Sequence, residues 1–342
     1  MALRKSLVSM AADSFLNAKE EIFRSVDDAV EMRRVGAESA ILETRFSTAE
    51  DLSDIVNRVP LVFPRHVTNV IAEFDPFDSG LADVADSVDS AIREQHRSPE
   101  VSLQLWQSGR TVYKFNRREA WDEAAQVLAD RGFQVSRAGA EYAVSVCYTP
   151  KTAVVGFNRI ADSLSSWPGG EVRLSRPAEQ VSRAEFKLEE LFKEHGLPFG
   201  HSGTALDYGA APGGWTRILA ERGFRTTAVD PGDLDPAVLK RPDVVHERTT
   251  AGNFIRESDR RFDLIVNDMK MSPTRSSQLM IDSLPLLKRH GMCIVTLKTG
   301  SHHVLSQLDE SFAILRRGYT IEFARQLRHN RNEVTVVLRA LD

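Results

Sequence analysis

The stretch LDYGAAPGGWT, residues 206–216, decides the fold of the second half of this chain. Its apolar start predicts a short strand, and Gly209, Gly213 and Gly214 then let the backbone turn tightly and approach a ligand closely. A helix is expected to begin near Gly214, so its unpaired N–H groups face the same crevice. Asp230 ends the next predicted strand, where a carboxylate can hold the two hydroxyls of a ribose. The pattern therefore predicts a site for a nucleoside cofactor, and the G-x-x-x-G-G spacing argues against a nicotinamide or flavin.

Helices and strands alternate regularly from residue 182 onward, which predicts an α/β domain with a mostly parallel sheet. The last two strands are joined by the short turn RHNRN, so this pair is predicted to be antiparallel. The predicted strands are 204–209, 225–230, 243–248, 262–268, 291–298, 320–327 and 333–340, and the predicted helices are 182–196, 214–223, 276–290 and 305–318.

The first 162 residues have a different, α+β pattern that carries no catalytic motif. Residues 163–181 are rich in Ser, Pro and Gly and are interpreted as a linker. Strands are predicted at 38–46, within 63–74, at 101–106 and as a hairpin of 141–149 with 152–158, and helices at 48–59, 80–95 and 118–132.

Composition narrows the protein class. The chain has 342 residues and a net charge of −4, of which residues 1–160 carry −5. Two cysteines, Cys147 and Cys293, are too few for a disulfide scaffold and fit a reducing cytoplasm. No apolar run approaches the roughly 18 residues that span a membrane, so we expect a cytoplasmic protein without a membrane partner. Cations cluster between Lys288 and Arg331, which is typical either of a phosphate-binding face or of a solvated surface.

Four charged side chains are expected to meet at the edge of the sheet where ligands bind. Asp268 and Lys298 end predicted parallel strands, Glu333 begins the antiparallel strand, and Lys187 lies early on the helix that precedes the first strand. A ribose 2′-hydroxyl is a poor nucleophile, so transfer of a methyl group to it needs a base. A lysine can serve when desolvation or a second cation lowers its pKa. This chemistry requires no metal.

These residues resemble the FtsJ-like methyltransferases, which have a Rossmann-like fold and bind S-adenosylmethionine. DYGAAPGGWT resembles motif I, and the four charged residues match the K-D-K-E tetrad of that family. The resemblance implies that Lys298 is the base, that Asp268 orients it, and that Lys187 and Glu333 position the ribose. It also implies a seven-stranded sheet whose last strand is antiparallel. The implied cofactor-binding residues are Asp207, Gly209, Ala211, Pro212, Gly213, Gly214, Trp215, Asp230 and Asp268.

One position departs from the family pattern. The family usually has an aspartate near the adenine after the third strand, where this chain has Thr250 and Ala251. Adenine recognition would then depend on backbone groups.

The resemblance extends to the RlmM type, which methylates a cytidine ribose of 23S ribosomal RNA. It is carried by WPGG (167–170), RLSRPAEQVSRAEFKLEE (173–190), NDMK (267–270) and ARQLRHNRNEVTV (324–336). It implies 23S RNA, before full subunit assembly, as the partner, and a monomer is compatible with it. The implied domains are a ferredoxin-like part (1–75), a THUMP-like RNA-binding domain (76–162), the linker and a methyltransferase domain (182–342).

Other functions remain to be weighed. Methylation of an exocyclic amine usually needs an N-P-P-Y-like turn where this chain has NDMK, and methylation of cytosine C5 needs a nucleophilic cysteine, whereas Cys293 lies mid-strand. A nicotinamide oxidoreductase is disfavoured by the glycine spacing. The main alternative is a non-catalytic RNA-binding protein with a relic methyltransferase fold, which would bind cofactor or RNA without turnover.

Overall fold

The computed structural model describes residues 2–59, 61–75, 85–91, 99–110, 116–175, 180–194 and 202–341. The chain divides into two compact units, Met1–Val172 and Arg173–Asp342, and the division lies within the predicted linker. Among the described residues, no helix combines the length and the apolar character that crossing a bilayer requires.

The described elements of the first unit are β1 (Arg4–Ser9), α1 (Phe15–Ser25), β2 (Ala29–Arg34), β3 (Ser39–Thr44), α2 (Ala49–Arg58), β4 (His66–Phe74), β5 (Glu100–Gln107), α3 (Arg117–Asp130), β6 (Gln134–Ser136), β7 (Tyr142–Tyr148), β8 (Ala153–Arg159) and the short 3₁₀ helices Ile160–Asp162 and Pro168–Gly170. Within these described residues the strands form an eight-stranded sheet with the order β2-β3-β1-β4-β8-β7-β5-β6. The predicted hairpin of β7 and β8 is present and antiparallel.

Sequence reasoning did not predict β1, α1 or β2. Residues 85–91 of the predicted helix 80–95 are helical, and the rest of that prediction lies outside the described residues. Whether this unit divides at residue 75 into ferredoxin-like and THUMP-like parts stays a prediction.

The second unit contains a seven-stranded sheet between helices. Its elements are α4 (Glu185–Glu194), β9 (Gly203–Tyr208), α5 (Gly214–Glu221), β10 (Phe224–Val229), α6 (Pro236–Leu239), β11 (Val244–Glu247), α7 (Ala251–Glu257), β12 (Phe262–Asn267), α8 (Pro273–Asp282), a 3₁₀ turn (Leu284–Leu286), β13 (Leu287–Lys298), α9 (Val304–Leu315), β14 (Tyr319–Arg325) and β15 (Glu333–Ala340).

Strand order and direction in this unit confirm the predicted α/β fold. The order is β11-β10-β9-β12-β13-β15-β14, and only β15 runs antiparallel to its neighbours. The central strands are buried on both faces, as expected when helices cover a parallel sheet. The carboxyl ends of β9, β10, β12 and β13 therefore lie along one edge with the start of β15.

The predicted helix 276–290 was wrong in its second half. The helix ends at Asp282, Pro285 lies in a 3₁₀ turn, and β13 already begins at Leu287. Proline has no backbone N–H to donate to a helical hydrogen bond, and its ring clashes with the preceding turn. The helix therefore ends before Pro285. The strand is consequently twelve residues long rather than the predicted eight.

The long strand also divides the basic cluster between Lys288 and Arg331. Lys288 is the second residue of β13 and Lys298 is the last, which separates them by about 33 Å at the usual rise of a strand. The cations of the cluster therefore lie at both ends of β13 rather than at one, and phosphate binding by them stays a prediction. The cations near Lys298 are Arg325, Arg328 and Arg331, and those near Lys288 are Arg289, Arg316 and Arg317.

Candidate active site

The loop between β9 and α5 has the tight geometry that its glycines predict. Gly209 and Gly213 have φ angles of 68° and 111°, in the left-handed region that favours glycine. A side chain at Gly214 would collide with the Ser182 hydroxyl, and one at Gly209 would collide with Met269. The loop thus turns sharply and begins α5 at Gly214, without a side-chain cap at Gly213.

Asp230 lies directly beside this loop. One carboxylate oxygen accepts a hydrogen bond from the Ala211 N–H at 3.2 Å, and the other accepts from the Gly232 N–H at 2.7 Å. The loop and the acid are thus adjacent, and their binding of a nucleoside cofactor stays a prediction. Two donors leave further lone pairs on the carboxylate for a ribose hydroxyl.

Asp207 lies beneath the loop rather than in the crevice. Its side chain is buried, and the Thr216 hydroxyl donates to it at 2.6 Å. Burial raises the pKa of Asp207 to about 7, although the bonds from Thr216 oppose that shift. The carboxyl supports the first turn of α5 from below, so its contribution to cofactor binding would be indirect.

Two other predicted cofactor residues contribute through their backbone. The Trp215 indole is buried in the core and donates its Nε1–H to the Ala184 carbonyl at 2.8 Å, so it faces α4. Only its backbone N–H lies at the start of α5. Pro212 follows Ala211 through a cis peptide bond and accepts a hydrogen bond at its carbonyl from the Asp235 N–H. These residues shape the loop.

Thr250 and Ala251, which stand where the family usually has an aspartate near the adenine, form the start of a helix. The Thr250 hydroxyl accepts a hydrogen bond from the Asn253 N–H at the start of α7, and Ala251 is the first residue of that helix. Thr250 therefore stabilises the helix end. Adenine recognition through backbone groups stays a prediction.

The four predicted charged residues converge. Lys187 Nζ lies 3.0 and 3.1 Å from the two Asp268 oxygens and 2.7 Å from Glu333 Oε1. Lys298 Nζ lies 2.5 Å from Glu333 Oε2 and also donates to Asp268 Oδ1. Lys298 and Glu333 are directly opposite each other in the antiparallel pair of β13 and β15. Each ammonium group contacts both carboxylates, so the cluster is electrically balanced.

The electrostatics keep Asp268 and Lys187 charged. Burial of the Asp268 carboxyl would raise its pKa, but Lys298 and Lys187 outweigh burial and hold that pKa below its ordinary value. Burial lowers the pKa of Lys187, yet Asp268 and Glu333 outweigh it and raise the pKa above its ordinary value. Lys187 therefore remains protonated and is unsuited to accept a proton.

Thr296 is a fifth member of the cluster that sequence reasoning missed. Its buried hydroxyl donates to Asp268 Oδ1 at 2.5 Å and accepts from Lys298 Nζ at 2.7 Å. It precedes Lys298 by two residues on β13, so both side chains lie on the same face of the strand. This two-residue spacing from Lys298 was the sequence signal that could have identified Thr296. Thr296 fixes the distance and direction between Asp268 and Lys298.

The helix that carries Lys187 is anchored at its start. Glu185 accepts hydrogen bonds from the N–H groups of Val181 and Ser182 at 2.8 and 3.0 Å, and its other oxygen pairs with Arg217 of α5. Glu185 thus makes the reach-back half of a capping box whose N-cap is Ser182. The anchor fixes α4 against the cofactor loop and so directs Lys187 toward the edge of the sheet.

The cysteines have no place in this chemistry. Cys147 and Cys293 are buried free thiols, and burial raises the pKa of each to about 12. A thiol that stays protonated is a poor nucleophile. The geometry agrees with the sequence argument against methylation of cytosine C5.

Comparison with known proteins identifies the second unit. A family profile described as FtsJ-like methyltransferase matches residues 180–334. These residues form an FtsJ-like methyltransferase domain. The chain is 36% identical over 179 residues to "Ribosomal RNA large subunit methyltransferase M" of Halorhodospira halophila, covering 51% of this chain and 52% of that protein. A protein of the same name from Methylococcus capsulatus is 35% identical over 207 residues, covering 55% of each chain.

The chain spans about half the length of the curated relatives it matches. Among solved structures, TrmN from Thermus thermophilus aligns with 98% of this chain and all of its own, at 14% identity and a TM-score of 0.39. A likeness at that level carries no argument about function.

The residues of the FtsJ-like domain fit S-adenosylmethionine. Asp230 offers carboxylate oxygens to a ribose, and the start of α5, whose N-cap Gly213 has no side chain to cap it, offers N–H groups to an anion. The charged cluster lies along the same edge, at the ends of β12 and β13. Lys298 therefore lies on the same edge of the sheet as the residues that would hold the cofactor.

Proposed function

We propose that this chain is an S-adenosylmethionine-dependent RNA ribose 2′-O-methyltransferase that acts on a cytidine of 23S ribosomal RNA. The observation that carries the proposal is the convergence of Lys187, Asp268, Lys298 and Glu333 beside the cofactor crevice. The names of the curated relatives support a large-subunit ribosomal RNA as the substrate. The proposed substrate is RNA that is not yet fully assembled into the subunit, and the proposed location is the cytoplasm.

S-adenosylmethionine supplies a methyl group on a positively charged sulfur when it is bound. Lys298 acts as the base, and its amine accepts the proton of the ribose 2′-hydroxyl. Its side chain is 21% exposed and that of Lys187 is 12% exposed, so Lys298 is the more accessible of the two lysines. Asp268 and Thr296 hold its Nζ in place during this transfer.

The remaining residues bind and orient the substrate. Lys187 stays protonated and can donate to the ribose oxygen while it neutralises Asp268 and Glu333. Glu333 can accept a hydrogen bond from a second ribose hydroxyl. Alignment of the nucleophile and the methyl group in such a site lowers the activation free energy by several kcal/mol.

Methyl transfer from labelled S-adenosylmethionine to unmodified 23S ribosomal RNA tests the proposal. Nucleoside analysis of the product should show 2′-O-methylcytidine with the wild type and none with Lys298→Ala. Methylated base instead of methylated ribose would contradict the chemistry. Binding of cofactor and RNA without any transfer would favour the relic RNA-binding protein.

A further inference from the structure

One buried carboxylate holds the turn between β14 and β15 against α4. The Glu190 side chain is only 3% exposed. It accepts hydrogen bonds from the N–H groups of Arg328 and His329, at 2.7 and 2.9 Å, and from His329 Nδ1 at 2.6 Å. Because an ionised carboxylate only accepts, Nδ1 carries a proton. The two backbone bonds are sufficient to fix the turn, so the bond to the ring serves to orient the imidazole.

The His329 ring is also supported on its face. Its centroid lies 5.1 Å from that of Phe186, at an angle of 31°. Within the part of the chain that the structure describes, Nε2 of His329 has no hydrogen-bond partner. This atom is not among the buried unpaired polar atoms. The ring is therefore held through Nδ1 and one face, and Nε2 is open to solvent.

This imidazole lies close to the charged cluster. Lys187 and Glu190 are three residues apart on α4, which places their Cβ atoms about 5–6 Å apart on one side of the helix. Glu333 follows His329 by four residues at the start of β15. The exposed Arg331 adds positive charge to the same turn. The imidazole, held by Glu190 on the side of α4 that also carries Lys187, is therefore placed to contact the adjoining part of the same RNA strand.

We propose that His329 contacts substrate through Nε2, binding a phosphate oxygen next to the ribose that receives the methyl group, and that Glu190 is the residue that positions it. The inference depends on the proposed function. Phosphate oxygens flank every ribose in RNA and receive most protein contacts to nucleic acid. Because Nδ1 already carries a proton, contact with a phosphate oxygen requires a second proton on Nε2, and the bound ring then lies between the Glu190 carboxylate and the phosphate.

RNA binding at several salt concentrations tests this contact. Filter binding of unmodified 23S ribosomal RNA should weaken about tenfold in His329→Ala. Its plot of log affinity against log salt should lose about 0.7 in slope, the value for one phosphate contact on a single strand. His329→Lys should recover the slope. Arg289→Ala, which removes an exposed cation at the opposite end of β13, is the matched control and should change neither quantity.

Steady-state methyl transfer separates substrate contact from a structural role. In His329→Ala the KM for RNA should rise about tenfold and kcat should change less than threefold, with unchanged affinity for S-adenosylmethionine and an unchanged melting temperature. Glu190→Gln should raise the same KM. An unchanged KM and salt slope, or a lower melting temperature with weaker cofactor binding, would overturn the inference.

The outcomes also separate this inference from the proposed function. Normal methyl transfer by the wild type, with the same RNA affinity in His329→Ala, overturns the role of His329 alone. Specific RNA binding that depends on His329, without methyl transfer by the wild type, overturns the proposed function alone. Absence of RNA binding by the wild type overturns both.

Discussion

Replacing Thr296 by valine tests whether the hydroxyl at the centre of the cluster is needed for methyl transfer. Valine keeps the size and the branched shape of threonine and suits a central strand. It removes the hydrogen bond donated to Asp268 and the one accepted from Lys298. The fold should persist, because the side chain is buried in a central strand and valine has a high strand propensity.

The magnitude follows from these two bonds. A hydrogen bond to a charged group contributes about 1.5–3 kcal/mol. Asp268 keeps both lysine contacts in the variant, so we count the loss as one such bond rather than two. Since about 1.4 kcal/mol corresponds to a tenfold change in rate, kcat should fall about ten- to hundredfold.

Single-turnover methyl transfer at saturating RNA measures this change directly, and calorimetry with S-adenosylmethionine reports whether the cofactor site is intact. Thr296→Ser keeps the hydroxyl and should stay within about threefold of wild type. Thr226→Val, at a buried threonine of β10 whose hydroxyl donates to the Phe224 carbonyl, controls for the substitution itself. A folded Thr296→Val variant with wild-type kcat would refute the reasoning.

Three further predictions concern the base, the ribose acid and the acid beneath the loop. Lys298→Ala should abolish turnover and leave the calorimetric affinity for S-adenosylmethionine within about twofold. Asp230→Ala should weaken that affinity about ten- to hundredfold, the loss of one or two charge-assisted bonds, and an unchanged constant would contradict its role. Asp207 has a pKa of about 7 when folded and about 3.9 when unfolded, so its contribution to stability is lost as pH rises from 4 to 7. In urea titrations Asp207→Asn should flatten that decline.

The sequence predicted those parts of the site that strand topology determines. Asp268 and Lys298 end strands whose apolar runs are unambiguous, and the short turn before Glu333 requires an antiparallel neighbour. Once the order of the strands is known, these three residues must lie at one edge. Lys187 could be added because it interrupts the apolar face of α4, where a charged group needs a partner.

The parts that were missed depend on side-chain direction or on competing local signals. A threonine inside an apolar strand looks the same whether it packs in the core, as Thr226 does, or binds charged groups, as Thr296 does. The run before Pro285 has helical periodicity, and periodicity alone does not show that the chain continues as a strand from Leu287. Likewise, a glycine-loop motif does not reveal that the Trp215 indole faces the core.

The charge balance of the cluster explains why catalysis and folding should be separable at Lys298. Burying a carboxylate without a partner is costly, so removal of a lysine from such a site would ordinarily destabilise the fold. Here Lys187 contacts both Asp268 and Glu333, and it continues to pair with both when Lys298 is removed. The two lysines are thus equivalent as counter-ions but not in exposure, since Lys298 is the more accessible and shares Thr296 with Asp268. We therefore expect Lys298→Ala to fold and bind cofactor, and a variant that fails to fold would show that Lys187 cannot hold both carboxylates alone.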